Sequence, residues 1–200
     1  LDEFFQVRVA GLKQQLAAGR STPSADGLTA GDALDAIRNK VLALVTIHST
    51  TYAGIHAELA AHDIRIVPYG EREQRGRELR TRFIDEIFPV LTPLAVDPGH
   101  PFPYISDLSL SLAVTVRDPE TGERRFARIK VPPVLPRLVE VAPRTYILLE
   151  QILAANLDAL FPGMEILEHH LFRVTRNADL AIEEDEADDL LMAIEEELRK

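Results

Sequence analysis

The sequence predicts an α+β protein: an antiparallel helical hairpin followed by a small, mainly antiparallel sheet with packed helices. Two periodicities carry this expectation. Apolar residues recur every three or four positions through 2–18 and 32–62, as on one face of a helix, whereas 108–116 and 126–131 alternate, as on one face of a strand. The change of texture near Asp63 sets the expected boundary, with a helical domain at 1–63 and a sheet-bearing domain at 64–200.

In the first helix Phe4, Phe5, Val7, Val9, Leu12 and Leu16 are interleaved with polar residues, and Asp2 and Glu3 lead it, where the helix dipole favours acids. Gly19 and Pro23 open a loop reaching about Gly31. Leu34, Ile37, Val41, Leu44, His48, Tyr52, Ile55 and Leu59 then trace one long amphipathic helix from Asp32 to His62. Its expected partner is the first helix, and such a pair is too thin to bury much alone. Ile64, Ile66 and Val67 form a short strand that Pro68 and Gly70 end. Glu71 to Phe88 returns to helix, with Leu79, Phe83, Ile84, Ile87 and Phe88 on one side and Arg72, Arg75, Arg77, Arg80 and Arg82 largely on the other.

Pro89, Pro93, Pro98, Pro101 and Pro103 follow, a density that predicts a stiff, extended connector without regular structure. Residues 108–116 and 126–131 make a hairpin across Asp118-Pro119-Glu120-Thr121-Gly122. Alternation puts Arg124, Arg128 and Lys130 on one face of the second strand and Arg125, Ala127, Ile129 and Val131 on the other. Leu138 to Val141 reads as an edge strand, Leu148 to Leu160 as a helix ended by Pro162-Gly163, and Ile166 to Val174 as a strand. Ala187, Leu190, Leu191, Ile194 and Leu198 predict a last helix with an acidic face.

Composition narrows the function. The chain has 200 residues, 46% of them hydrophobic and 27% charged, an ordinary globular balance. No run approaches the roughly 20 apolar residues of a membrane span. The absence of cysteine removes a disulfide scaffold, a thiolate zinc site and a cysteine nucleophile, and accords with a reducing cytoplasm. A formal charge of −10 argues against nucleic acid as a partner. Yet residues 183–200 alone carry nine acids against Arg199 and Lys200, so the rest of the chain is nearly balanced. Arginine outnumbers lysine by eighteen to four. Its planar fork suits phosphate oxygens, although a codon bias toward arginine would give the same excess without functional demand.

A search for catalytic groupings returns little. His48, His56 and His62 lack the i, i+4 spacing of a helical metal site, and His169 and His170, adjacent in a strand, point to opposite faces. Glu183 to Glu186 reads as a solvated helix start rather than a metal cluster. There is no P-loop and no nucleophile elbow. Two cationic constellations remain as candidates for anion binding. One is the strand end Phe172-Arg173-Val174-Thr175-Arg176-Asn177-Ala178-Asp179, where Arg176 is alternatively a cap partner of Asp179; with Arg124, Arg128 and Lys130 it gives the candidate set Arg173, Arg176, Arg124, Arg128 and Lys130. The other is the Arg72 to Arg82 helix face, which reads equally as a plain solvated surface.

Longer runs resemble bacterial polyphosphate kinase of type 1. They are Leu1-Asp2-Glu3-Phe4-Phe5 with Val7-Arg8-Val9-Ala10-Gly11-Leu12-Lys13, then Pro89-Val90-Leu91-Thr92-Pro93-Leu94-Ala95-Val96-Asp97-Pro98, then His100-Pro101-Phe102-Pro103-Tyr104-Ile105-Ser106. Arg125-Phe126-Ala127-Arg128, Leu135-Pro136-Arg137, Leu160-Phe161-Pro162-Gly163-Met164 and Phe172 to Leu180 continue the likeness in order. The resemblance implies a truncated N-terminal helical domain and the greater part of a head domain like the phox-homology fold, ahead of two domains related to phospholipase D. It implies reversible transfer of the terminal phosphate of ATP to inorganic polyphosphate through a phosphohistidine, with Mg²⁺. It further implies a cytoplasmic homodimer or homotetramer joined through the head, with peripheral membrane association left open.

The family's nucleophilic histidine and the arginines of its magnesium site are expected beyond Lys200, and its ATP-contacting asparagine immediately before Leu1. A chain that opens on Leu1, without Met or a basic leader, is accordingly expected to be the front portion of a longer enzyme. By itself it should supply framework and part of the nucleotide-binding scaffold and no chemistry. The competing reading is a non-catalytic module for oligomerisation or polyanion binding.

Overall fold

A computed structural model describes residues 1–19, 22–25, 27–70, 73–96 and 105–177. The chain divides into two compact units, Leu1–Ile55 with Thr175–Lys200, and His56–Val174. In the first unit a π-helical stretch, Phe4–Val9, runs into α1, Ala10–Ala17. The long helix α2, Ala30–Ala61, begins in this unit and ends in the second. A capping box starts it: the Thr29 hydroxyl accepts from the Asp32 N–H at 3.2 Å, and the Asp32 carboxylate accepts from the Thr29 N–H at 3.2 Å. The Thr29 hydroxyl also donates to the Asp32 carboxylate at 2.6 Å, and this bond, followed by that of the Thr29 N–H, holds the Asp32 carboxyl below its ordinary pKa. Val9, Leu12 and Ala30 are buried, while Leu42, Val45, Ile47, Tyr52 and Ile55 of α2 stay exposed. Of the expected stripe, Leu34, Ile37, Val41 and Leu59 are half-buried and Leu44, His48, Tyr52 and Ile55 are exposed, so it is only partly covered.

The second unit begins at His56, in the last turns of α2. Asp63, at φ 60°, takes the left-handed position usually given to glycine. The Ile64 N–H then reaches the Leu59 carbonyl, and the Asp63 N–H reaches Ala60. Strand β1, Arg65–Ile66, follows. Helix α3, Glu73–Arg82, continues through a π turn, Phe83–Ile87, and a 3₁₀ turn, Phe88–Val90. Leu79, Phe83 and Ile87 are buried, but Ile84 and Phe88, expected on the same side, are exposed. Steps of four keep Leu79, Phe83 and Ile87 in line, and Ile84 and Phe88 fall one residue off it.

Two sheets form where one was expected. The larger has the order β2 (Leu94–Val96), β4 (Arg124–Lys130), β3 (Leu110–Arg117), β7 (Glu165–Arg173), all antiparallel. The smaller has β1, β6 (Thr145–Leu148) and β5 (Leu138–Ala142), with β1 parallel to β6 and β5 antiparallel to it. Strand β2 corrects the expectation of an irregular Pro-rich connector. Pro93 and Pro98 flank it, so Leu94, Ala95 and Val96 all keep their N–H groups, and an edge strand needs no more. The expected helix from Leu148 to Leu160 is likewise divided: β6 takes Leu148, and α4, Leu149–Ala155, is separated from α5, Leu157–Leu160, at Asn156.

The β3–β4 turn is held as its sequence suggests. The Asp118 carboxylate accepts from the N–H groups of Glu120 and Thr121, and Gly122 sits at φ 73°. One face of the larger sheet, with Leu112, Val114, Val116, Ile129 and Val131, joins Leu79, Phe83 and Ile87 and the inner residues Ile152, Leu153 and Leu157 of α4 and α5 in a single core. The expected acidic helix after Ala187 lies outside the described residues.

Candidate anion-binding surface

Strand β4 carries three of the candidate residues and places them differently. Arg124 sits at the turn end, exposed, opposite Arg117 of β3, whose guanidinium pairs with Glu165 of β7. Lys130 lies six residues on, about 20 Å away along an extended strand. Lys130 is exposed and, among the described residues, makes no ion pair. The face expected for Arg124, Arg128 and Lys130 therefore spans more than one phosphate group can bridge, and only an extended polyanion can touch both its ends.

Arg128, between them, is not a surface cation at all. It is 4% exposed, its Nε donates to the Ser111 hydroxyl at 3.2 Å and an Nη reaches the Ser109 hydroxyl at 3.4 Å. Burial pushes its pKa down from the ordinary arginine value, because the low-dielectric interior penalises the charge.

Arg173 ends β7 at the same end of the sheet as Lys130. Leu110 faces Arg173 across one ladder and Ser111 faces Lys130 across the other. The two residues flank β3 about 10 Å apart, with their Cβ atoms on opposite faces. The Arg173 Nε donates to the Leu108 carbonyl at 3.3 Å, across the sheet end. Leu108 is held at φ 56°, and its N–H donates to the Val174 carbonyl. Arg176 is half-buried and falls in the other unit, and Asp179, its alternative partner, lies outside the described residues. The sheet end thus gathers Lys130 and Arg173, with Arg128 behind them, and leaves out Arg124.

Two arginines of α3, Arg80 and Arg82, are bonded to other elements. Arg80 grips Asp158 of α5 with two bonds, at 2.9 and 2.6 Å, and also donates to the Asn156 side chain at 3.2 Å. This pairing raises the Arg80 pKa and holds the Asp158 carboxyl below the usual carboxylate range. Arg82 bonds Glu86 one turn on and donates to the Glu140 carbonyl of β5. Both are structural ties, which weighs against the helix face as a polyanion site. Arg72 lies outside the described residues.

One cation was not singled out from sequence. Arg137, just before β5, closes on Glu150 of α4 with bonds of 3.0 and 2.6 Å, and Glu150 is buried. No local spacing signals a pair formed across a strand hairpin and a helix start. The pair stands on a cleft of about 560 Å³ whose wall also holds Lys130, Ser109 and Pro133.

Histidines offer no reactive cluster in the described part. His56 of α2 faces the Ile66 carbonyl through Nε2 at 3.2 Å, and His170 lies 3.5 Å from Glu168. Among the described residues no three His, Asp or Glu side chains gather as a metal site would require. These residues do not fit Mg²⁺, and no step is assigned to it in this chain. None of the described helices is long and apolar enough to cross a membrane.

Fold and site together describe an α+β protein in two units, with a cationic sheet end and no assembled catalytic group among the described residues. Comparison with known proteins places it further. The model of the polyphosphate kinase N-terminal domain matches residues 1–67, and that of the polyphosphate kinase middle domain matches residues 74–200. The chain belongs to the polyphosphate kinase family. It is 53% identical over 202 residues to a polyphosphate kinase of Streptomyces coelicolor, covering all of this chain and 27% of that one. To a polyphosphate kinase of Synechocystis it is 54% identical over 214 residues, covering all of this chain and 29% of the relative. The crystal structure of polyphosphate kinase from Porphyromonas gingivalis superposes with a TM-score of 0.74 at 29% identity, over 96% of this chain and 31% of that one. The chain therefore spans under a third of the length of these relatives.

Proposed function

We propose that this chain is the N-terminal and middle part of a polyphosphate kinase that, at full length, reversibly transfers the terminal phosphate of ATP to inorganic polyphosphate through a phosphohistidine. The observation that carries this reading is the pair of domain matches, 1–67 and 74–200, in the family's order on one chain. Here the chain contributes framework and a basic surface, while the nucleophile and magnesium site belong to parts of the relatives it does not span. Phosphohistidine chemistry needs an imidazole aimed at the phosphorus and a cationic cradle around the oxygens. In the described residues the nearest approach to either is separate: His56 turned to a carbonyl, and Lys130 and Arg173 at a sheet end.

The 200 residues by themselves accordingly transfer no phosphate. Incubation with γ-labelled ATP and a polyphosphate primer tests this, and label entering polymer with this chain alone would overturn it. In the whole enzyme the sheet-bearing part acts as a head domain of phox-homology type and joins subunits into a dimer or tetramer in the cytoplasm. The boundary we propose between helical and head parts is 63/64; the end of α2 at Ala61 and the start of β1 at Arg65 support it, while the compact units divide at Ile55/His56.

The polyanion contact of the sheet-bearing unit is formed by Lys130 and Arg173 at the sheet end, and Arg176, in the other unit, is a separate candidate for anion binding. Affinity for polyphosphate should fall steeply with salt, as counterion release requires. Arg173→Glu should weaken it several-fold. Charge reversal at Arg176 that leaves affinity unchanged would remove that residue from the site.

A further inference from the structure

The larger sheet ends in two edges that the sequence treats differently. Strand β2 is three residues long and stands between Pro93 and Pro98, the short, Pro-guarded kind of edge that resists further pairing. Strand β7 runs nine residues, Glu165–Arg173, with neither Pro nor Lys, and among the described residues it pairs only with β3. A bulge opposite Thr115 and Val116 bends it without closing the edge. The ladder shows which backbone groups face outward. The Val131 N–H, just past β4, bonds the Leu110 carbonyl, so Leu110, Leu112 and Val114 turn their backbone groups to β4, and Ser111, Ala113 and Thr115 turn theirs to β7. Phe172, His170 and Glu168 answer them, which leaves the N–H and C=O groups of His169 and Leu171 pointing off the sheet. Both residues are exposed, Leu171 by 45% although it lies opposite the buried Leu112.

The order of side chains along β7 is self-complementary. Turned antiparallel on a copy of itself about His169, the strand sets Glu165 opposite Arg173, Leu167 opposite Leu171 and Glu168 opposite His170. Acid meets base and apolar meets apolar, and a two-fold axis makes each pair occur twice. A shift by one residue, with His169 opposite His170, would put Ile166 on Arg173 and Glu168 on Leu171, so one register is selected. Glu165 holds Arg117 through Oε2 alone, which leaves Oε1 to the copy. The bulge displaces Glu165 by about 3.3 Å along the strand, a distance that a glutamate and an arginine side chain span together. His169, on the axis, offers an outward N–H and C=O that close two bonds with the same groups of the copy.

We infer that the exposed edge of β7 pairs antiparallel with β7 of a second copy of this chain, about a two-fold axis at His169, joining two four-stranded sheets into one. This contact rests on the reading that the sheet-bearing part joins subunits, and names the surface that does so. An interface of one strand pair is small, so association should show in the micromolar range. Sedimentation equilibrium of the 200-residue chain should find monomer and dimer exchanging with concentration. His169→Pro removes an N–H that β3 does not use, so it should weaken the dimer at least tenfold while the circular dichroism spectrum stays unchanged. Arg173→Glu and Glu165→Arg chains should each associate at least tenfold more weakly alone, since like charges then face each other. A 1:1 mixture of the two should dimerise again, because every facing pair is once more opposite in sign. A dimer indifferent to His169→Pro, or a mixture no tighter than its components, would overturn the β7 contact and leave subunit joining through the head standing. A chain monomeric throughout would overturn both. Amide protection of His169 and Leu171 from hydrogen exchange that is equal at low and high concentration would mean that the chain's own residues cover the edge, and would also overturn the contact.

Discussion

Asn156→Ala is expected to cost more stability than any single exposed ion pair in the second unit, and the reason lies in how α4 ends. At Asn156 the backbone turns to φ −122° and ψ 23°, and its N–H bonds Leu153 rather than Ile152. The Ile152 carbonyl is thereby released inside the core, and the Asn156 side-chain amide takes it at 2.7 Å. The same amide reaches the Tyr69 hydroxyl at 3.4 Å, and its oxygen accepts from Arg80 at 3.2 Å. Asn156 is fully buried, so water cannot replace these bonds. One good hydrogen bond contributes about 1 kcal/mol net, and stranding a buried carbonyl adds its desolvation, giving about 2–3 kcal/mol for the alanine variant. The Arg80–Asp158 pair looks stronger on the page, with two short bonds, but its side chains are 45% and 61% exposed. Exposed pairs of this kind contribute about 0.2–1 kcal/mol. Urea denaturation followed by circular dichroism decides between the two. With a slope of about 1–3 kcal/mol/M, Asn156→Ala should lower the midpoint by roughly 1–2 M. A shift for Asn156→Ala no larger than that for Asp158→Ala, which removes the exposed pair and leaves the Arg80 bond to Asn156, would refute the ranking.

The Arg80–Asp158 pair also carries a pH signature. The Asp158 pKa is depressed on folding, chiefly by the Arg80 bond, so the contribution is complete above the ordinary carboxylate range and disappears as pH falls through the folded value. The pH-dependent part of the stability gap between the unsubstituted protein and Arg80→Ala, a few tenths of a kcal/mol after solvent screening, should be flat between about pH 7 and 5 and close toward about pH 3 in matched urea titrations, leaving the constant part due to the Asn156 bond. Gly122→Ala should cost about 1 kcal/mol in the same assay, because φ is 73° there while a Cβ would meet nothing within 4 Å, leaving backbone strain as the whole effect. Arg137→Met should cost about 2 kcal/mol, below the roughly 3–5 kcal/mol of a fully buried pair because the Arg137 side chain is exposed, and adding Glu150→Gln should return most of it.

Much of this architecture was legible from residue order because its cause is local. Asp118 and Gly122 turn the β3–β4 hairpin by bonds and a φ angle confined to five residues, and the alternation of Leu112, Val114 and Val116 specifies the buried face without reference to partners. What stayed hidden depends on distant chain. Thr145-Tyr146-Ile147-Leu148 runs without a break into Leu149-Glu150-Gln151, and only pairing with β1 and β5 makes the first four residues a strand. Leu94 to Val96 became a strand because β4 offered an edge, despite the prolines around it. The same limit applies at the site. Lys130 and Arg173 were candidates by composition, but their approach depends on the β4–β3–β7 order, and the commitment of Arg137 to Glu150 has no trace in spacing.

Commitment, more than number, decides what the arginines mean. Eighteen arginines suggest a polyanion partner only if their guanidinium groups are available. Arg80, Arg117 and Arg137 are each closed on a carboxylate from another element, Arg82 on a carbonyl of β5, and Arg128 is buried among serines. These cations tie one element of the second unit to another, so substituting them should lower stability first and anion affinity only as a consequence. Lys130 is placed the other way round. It sits exposed at a strand end with no ion pair among the described residues, so substituting it should change affinity and its salt dependence while leaving the urea midpoint nearly still. That opposition of the two readouts gives the net charge of −10 its proper weight: it describes the sum of the chain, whereas a phosphate responds to the cations at the place where it binds.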